Sequence, residues 1–152
     1  MNREILFRGK QINNGEWVEG YFIETKKPVY RAFIILSIDI DVHSSGMTIL
    51  DSEIFEVIPE TVGRYTGLTD KNGKKIFEGD IFANDFYSAV HGVVKYSIEY
   101  NGNPYAYSPC GFIIEWNDKI LRSDLPHWCK SDSNASVIGN IHDKSKLLEA
   151  SK

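Results

Sequence analysis

At 152 residues, with 42% hydrophobic and 25% charged side chains, the chain has the make-up of one folded domain or two small subdomains, which excludes disorder as its ground state. Its net charge of −4 runs against a protein that wraps phosphates, because releasing counterions from nucleic acid takes a cationic surface. Two cysteines, Cys110 and Cys129, exclude a disulfide framework, and the longest unbroken aliphatic or aromatic run, Phe33-Ile34-Ile35-Leu36, is far too short for a membrane span.

Met1 to Arg8 has none of the apolar length of a secretory signal, so the expected setting is the cytosol, with reduced thiols and no membrane partner. The chain holds 8 Tyr, 8 Phe and 3 Trp, a composition that suits strands with buried faces. Ile5-Leu6-Phe7-Arg8 reads as a first strand, and the turn signal Asn13-Asn14-Gly15 leads into a second over Glu16 to Glu24. There Trp17, Tyr21 and Ile23 share one face, interrupted by Glu19, while Val18, Gly20 and Phe22 share the other. With both faces substantially apolar, this strand is expected to be central.

Val29 to Ile40 is β-branched and aliphatic, and it runs into the alternation Ile38-Asp39-Ile40-Asp41-Val42 before Ser44-Ser45-Gly46 turns the chain. Met47 to Leu50 and Phe55 to Ile58 are expected as two short strands. Ile49, Leu50, Ile54 and Phe55 also have helical spacing, but the segment is short and is flanked by Gly46 and Pro59. Lys71-Asn72-Gly73-Lys74 is the turn between Tyr65-Thr66 and Ile76-Phe77. Glu78-Gly79-Asp80 then redirects the chain into Ile81-Phe82-Ala83.

From Gly92 to Ile98, Val94, Tyr96 and Ile98 face one way and Val93, Lys95 and Ser97 the other. Phe112 to Trp116, a turn at Asn117-Asp118, and Lys119 to Arg122 predict another hairpin. Val137 to Ile141 is a last strand, and Asp143 is placed to cap a terminal helical turn through Leu147 and Leu148. About ten short strands, with no long helices between them, predict an all-β barrel or sandwich.

One ordered set of motifs covers most of the chain: Phe7-Arg8-Gly9-Lys10, Gly15-Glu16-Trp17-Val18 with Gly20-Tyr21, and Pro59-Glu60-Thr61-Val62-Gly63. Tyr65-Thr66-Gly67-Leu68, Asp70-Lys71-Asn72-Gly73, Ile76 with Glu78-Gly79-Asp80-Ile81, and Ile138-Gly139-Asn140-Ile141 complete it. In this order the motifs resemble the YopX family of phage and prophage proteins, with Arg64 where the family often has Gln. The resemblance implies an all-β protein with an SH3-like, partly open barrel, carried on mobile phage elements and self-associating. It implies residues 1–61 as an N-terminal β region packing on the barrel, and 62–152 as the barrel domain with a short C-terminal helical turn. It implies no catalytic residue.

Glu78 and Asp80, at i and i+2, could bind a divalent cation or act as an acid/base pair. The preferred reading is a turn, in which Gly79 takes a conformation other residues avoid and Asp80 caps backbone N–H groups; Gly73 serves the preceding turn. No third oxygen-rich cluster lies nearby to complete a cation site. Cys110, His127, Cys129 and His142 could assemble zinc, and either thiol could pair with His91, His127 or His142, but no spacing marks a metal site or an activated thiolate.

The most individual segment runs from Ile98 to Cys110. Tyr100, Asn101, Tyr105 and Tyr107 on a Gly/Asn/Pro-bearing loop are candidates for a recognition surface, weighed evenly against a plain hairpin connection. The absence of Lys or Arg between Lys95 and Lys119 favours a protein over nucleic acid there. Lys71, Lys74 and Lys75, like Lys26, Lys27 and Arg31, are read as solvated charges at turns and strand edges.

The expected function is a non-catalytic binding or self-assembling module: a homo-oligomer with no cofactor and no metal, and with a host or phage protein as a further partner. The alternative is a single-strand nucleic-acid binder using the tyrosine loop with Lys71, Lys74 and Lys75. A metal-assisted or thiol enzyme ranks last.

Overall fold

The computed structural model describes residues 4–86, 89–98, 111–117 and 124–144. The fold is all-β, its strands antiparallel, and the chain divides into two compact units, Met1–Arg64 and Tyr65–Lys152.

In the first unit, β1 (Phe7–Lys10), β2 (Trp17–Thr25), β3 (Arg31–His43) and β4 (Gly46–Val57) lie in the order β4-β3-β2-β1. The polar turn after Gln11 closes the hairpin of β1 with β2, with Phe7 opposite Gly20 and Lys10 opposite Trp17. At Gly20 strand β2 changes partners: Tyr21 pairs with Ile35, and the register with β3 continues to Thr25 opposite Arg31. A Cβ on residue 20 would lie 2.2 Å from the Ile35 carbonyl oxygen, so only glycine admits the β3 backbone at this crossing.

Ala32, Ile34 and Val57 form the buried core of this unit, with Phe7, Val18, Phe22 and Val62 packed against them. Fully burying side chains such as Ile34 and Val57 stabilises the fold by about 1.5–3 kcal/mol each. A 3₁₀ turn, Pro59–Thr61, follows β4. The Thr61 hydroxyl donates to Ile58 O (2.7 Å) and accepts from Lys10 N (2.9 Å), tying this turn to β1. Gly63 and Arg64 then pair with Arg8 and Phe7.

Two expectations need correction here. Strand β2 is central, as expected, but its faces are covered unequally: Val18 and Phe22 pack on the core. On the other face only Trp17 is half-buried, with the Arg8 guanidinium over its ring at 4.7 Å, and Tyr21 and Ile23 are exposed. Alternating apolar residues reveal period two but not whether a second layer covers each face. The two short strands expected between Met47 and Ile58 are one strand of 12 residues. The polar Asp51-Ser52-Glu53 reads as an interruption, yet it pairs in register with Asp39, Ile38 and Ser37.

The second unit begins within β5 (Gly63–Thr69), which with β6 (Lys75–Phe77) flanks the turn at Lys71–Gly73, with Tyr65 opposite Phe77 and Thr69 opposite Lys75. β7 (Asp80–Asn84), β8 (His91–Ser97), β9 (Gly111–Trp116) and β10 (Ala135–Asn140) form a sheet in the order β10-β7-β8-β9. Its core gathers Ile76, Phe82, Val94, Ile114, Trp116, Leu125, Trp128, Ala135 and Val137, with the Trp116 and Trp128 rings edge to face at 5.0 Å.

Leu125–Trp128 is a single helical turn, with Leu125 and Trp128 buried. It was not anticipated, because four residues are too few to show a helical period. The expected terminal helix beyond Asp143 and the expected strand over Lys119 to Arg122 lie outside the described residues. Asp143 itself sits in a turn, with Asp143 N and Lys144 N both donating to Asn140 O.

Candidate assembly surface

The longest of the described elements, β3 and β4, pair beyond the sheet that roots them. Ser44 and Ser45 join them, as the Ser-Ser-Gly signal anticipated. The β2–β3 register ends at Tyr21 opposite Ile35, so from Leu36 outward the hairpin is a two-stranded arm. Within it Ser37 faces Glu53, Ile38 faces Ser52, Asp39 faces Asp51, Ile40 faces Ile49, Asp41 faces Thr48, and Val42 faces Met47. The register slips between Ile35 and Ser37 and again between Asp39 and Ile40, so Leu36 and Leu50 are extra residues.

Cross-strand partners share a face, so this register segregates the arm into two sides. One carries Ile38, Ile40, Val42, Met47 and Ile49, with Ser52 as its one hydroxyl; the other carries Ser37, Asp39, Asp41, His43, Thr48, Asp51 and Glu53. The polar side bonds to itself: the Ser37 hydroxyl donates to Glu53 (3.4 Å), and His43 meets Thr48 (3.1 Å) and Asp41 (3.4 Å). The apolar side is open, from 44% exposure at Ile40 to 71% at Val42.

No Lys or Arg occurs between Arg31 and Arg64, and Arg31 at the arm's root is paired with Glu56 (3.5 Å). The arm is therefore acidic on one side and uncharged on the other. The alternation Ile38 to Val42 was visible in the sequence. That it belongs to a projecting ribbon, with its apolar side open, was not.

The turn residues singled out from the sequence have structural partners. Gly73 and Gly79 take φ of 79° and 82°, in the left-handed region. Gly79 N donates to Val94 O (2.9 Å) and Ile141 N donates to Gly79 O (3.0 Å), so this turn is stitched between β8 and the end of β10. Asp80, 1% exposed, accepts from Phe77 N (2.8 Å) through one oxygen and from Asn140 Nδ2 (3.4 Å) through the other. Glu78 is half-buried beside it. Among the described residues no three His, Cys, Asp or Glu side chains come together as a cation site would require.

Sequence reasoning passed over Asp70. This buried carboxylate accepts from Asn72 N (2.9 Å), Lys74 N (3.0 Å) and, 67 residues away in sequence, Val137 N (3.1 Å). Its place directly before Lys-Asn-Gly was the available signal for the local part, an Asx turn.

Lys71 is ion-paired with Asp85, and Lys75 lies over the Tyr65 ring at 5.7 Å, so two of the three lysines considered for phosphate have partners. Lys26 is paired with Glu24 (3.0 Å). Cys129 Sγ donates to Leu125 O (3.2 Å); burial, with the Asp70 charge second, pushes its thiol up to about 11, away from nucleophilic use at neutral pH. A cavity of about 340 Å³ opens between Phe86, His127, Trp128 and Lys130. At its edge Asn84 Oδ1 accepts from Phe86 N and the Ser133 hydroxyl donates to Ala135 O. Tyr100, Asn101, Tyr105, Tyr107 and Cys110 lie outside the described residues. No described helix is long and apolar enough to cross a membrane.

The family model described as YopX protein matches residues 6–149. No curated protein matches the chain. Among solved structures, the fold is similar to that of protein EF1440 from Enterococcus faecalis, with a TM-score of 0.62 and 23% identity over 97% of this chain and 99% of that one. With nearly its whole length matched by the family model, the chain belongs to the YopX family.

Proposed function

We propose that this chain is a non-catalytic module that acts by self-association, in the cytoplasm of a bacterium carrying a phage or prophage. The single observation behind this reading is the apolar side of the β3–β4 arm, uncharged and open on a ribbon that pairs with no third strand among the described residues. An exposed face of this kind marks an interaction surface on a protein that must stay soluble. The buried carboxylates of Asp70 and Asp80 are engaged with backbone and amide donors, and the Cys129 thiol is held protonated, which supports binding over catalysis. The pairing of Lys71 and the ring contact of Lys75 favour protein over nucleic acid as partner.

Size-exclusion chromatography with light scattering at micromolar concentration tests the reading. The expected result is an oligomer; a monomer across the range defeats it. Fluorescence anisotropy with single-stranded DNA over a salt series tests the nucleic-acid alternative, for which binding must weaken steeply as salt rises.

A further inference from the structure

Resting on the self-association reading, we infer that the apolar side of the β3–β4 arm packs face to face against the same side of a second copy, as an isologous pair of ribbons. Three features point to a copy of this chain as the occupant. First, the face carries Ile38, Ile40, Val42, Met47 and Ile49 with no charge among them, so it is self-complementary: apposing two introduces neither repulsion nor a stranded carboxylate.

Second, every charge on the arm lies on the other side. Asp39 stands opposite Asp51, and Asp41 and Glu53 flank them, an arrangement tolerable only where water screens it. Face-to-face packing leaves all four in solvent. Pairing two arms edge to edge in one sheet would instead line up the acidic sides of both copies.

Third, the area is adequate. From their fractional exposures the five residues leave roughly 550 Å² open per copy, so joining two faces removes at most about 1,100 Å², which reaches the ~1,000 Å² that a specific interface should clear. The ribbon itself needs such a partner, because two strands alone are marginal in water and, among the described residues, no third strand pairs with this arm from Leu36 outward. Two paired arms form a small four-stranded sandwich of the usual aligned kind.

The test is the double variant Ile40→Asp/Ile49→Asp, studied as full chain by light scattering and sedimentation. Both side chains are exposed in the single copy, so the fold is retained, checked by far-UV circular dichroism and thermal melting. Dissociation is expected to strengthen by roughly 100-fold or more, since carboxylates enter an apolar interface. Asp41→Asn, on the opposite side, is expected to leave assembly unchanged.

A second variant replaces residues 39–51 by Asn-Gly, a two-residue turn that suits the Ile38–Ser52 register, and is expected to behave as a folded monomer. An oligomer that survives both variants overturns face-to-face pairing and leaves self-association standing by another surface. A wild-type monomer overturns both. Mixing a tagged double variant with wild type separates the geometries: an isologous pair predicts no mixed dimers, whereas mixed dimers mean the arm docks on a different surface of its neighbour and overturn the inference.

Discussion

Asp70 shows how one side chain can hold distant parts of a chain together. Its two oxygens accept three backbone N–H groups, two inside the Lys71–Gly73 turn region and one on β10. Asp70→Ala leaves those donors unmet in a buried setting and is expected to cost about 2–4 kcal/mol, read as a lower urea midpoint with unchanged slope. Cys129 gives a prediction of opposite character. Its thiol is raised from its ordinary value of 9.0 to about 11 by burial first and by the Asp70 charge second. The folded state thus favours the protonated form. That stabilisation is fully present below pH 9 and is lost as pH rises from 9 through 11, because the unfolded chain ionises first. Wild type should therefore lose more stability than Cys129→Ser across that window, measured by urea unfolding at each pH. At pH 7.5 the thiol should also react with iodoacetamide more slowly in folded than in unfolded protein.

At the scale of elements, the β3–β4 arm is set apart by the opposition of Asp39 and Asp51 on a ribbon with no cation between Arg31 and Arg64. Like charges directly opposite weaken an antiparallel pair, and reversing one turns the contact favourable. Asp51→Lys is expected to stabilise the arm by about 0.2–1 kcal/mol relative to wild type, seen as slower amide exchange from Ser37 to Val42, with the gain shrinking at 1 M salt. The arm also shows what periodicity can and cannot disclose. Ile38 to Val42 alternates so plainly that strand and turn were legible from residues alone. The continuity of β4 through Asp51-Ser52-Glu53 was not, because a bulge at Leu50 and pairing with Ser37 to Asp39 carry the strand across a polar stretch. The helical turn Leu125–Trp128 escaped for a related reason: it is held by the burial of Leu125 and Trp128 in the second unit's core, not by any pattern of its own.

For the whole molecule, self-association through the arm would couple assembly to stability by mass action. The melting temperature of wild type is expected to rise with protein concentration between about 2 and 200 μM, whereas that of Ile40→Asp/Ile49→Asp stays constant; differential scanning calorimetry at each concentration checks it. Local chemistry alone determined that this is an all-β chain, where most strands lie and which glycines turn it, because alternation and positive-φ residues act over a few neighbours. It also determined the family, through motifs spread along nearly the full length. Only the tertiary structure decided which apolar faces are covered. Ile34 and Val57 are sealed while Ile38 and Ile40 on the same strand pair stand open, and Asp70 finds Val137 across 67 residues. Burial depends on which layers meet, and layers are brought together by contacts between residues far apart in the chain, which no local pattern encodes.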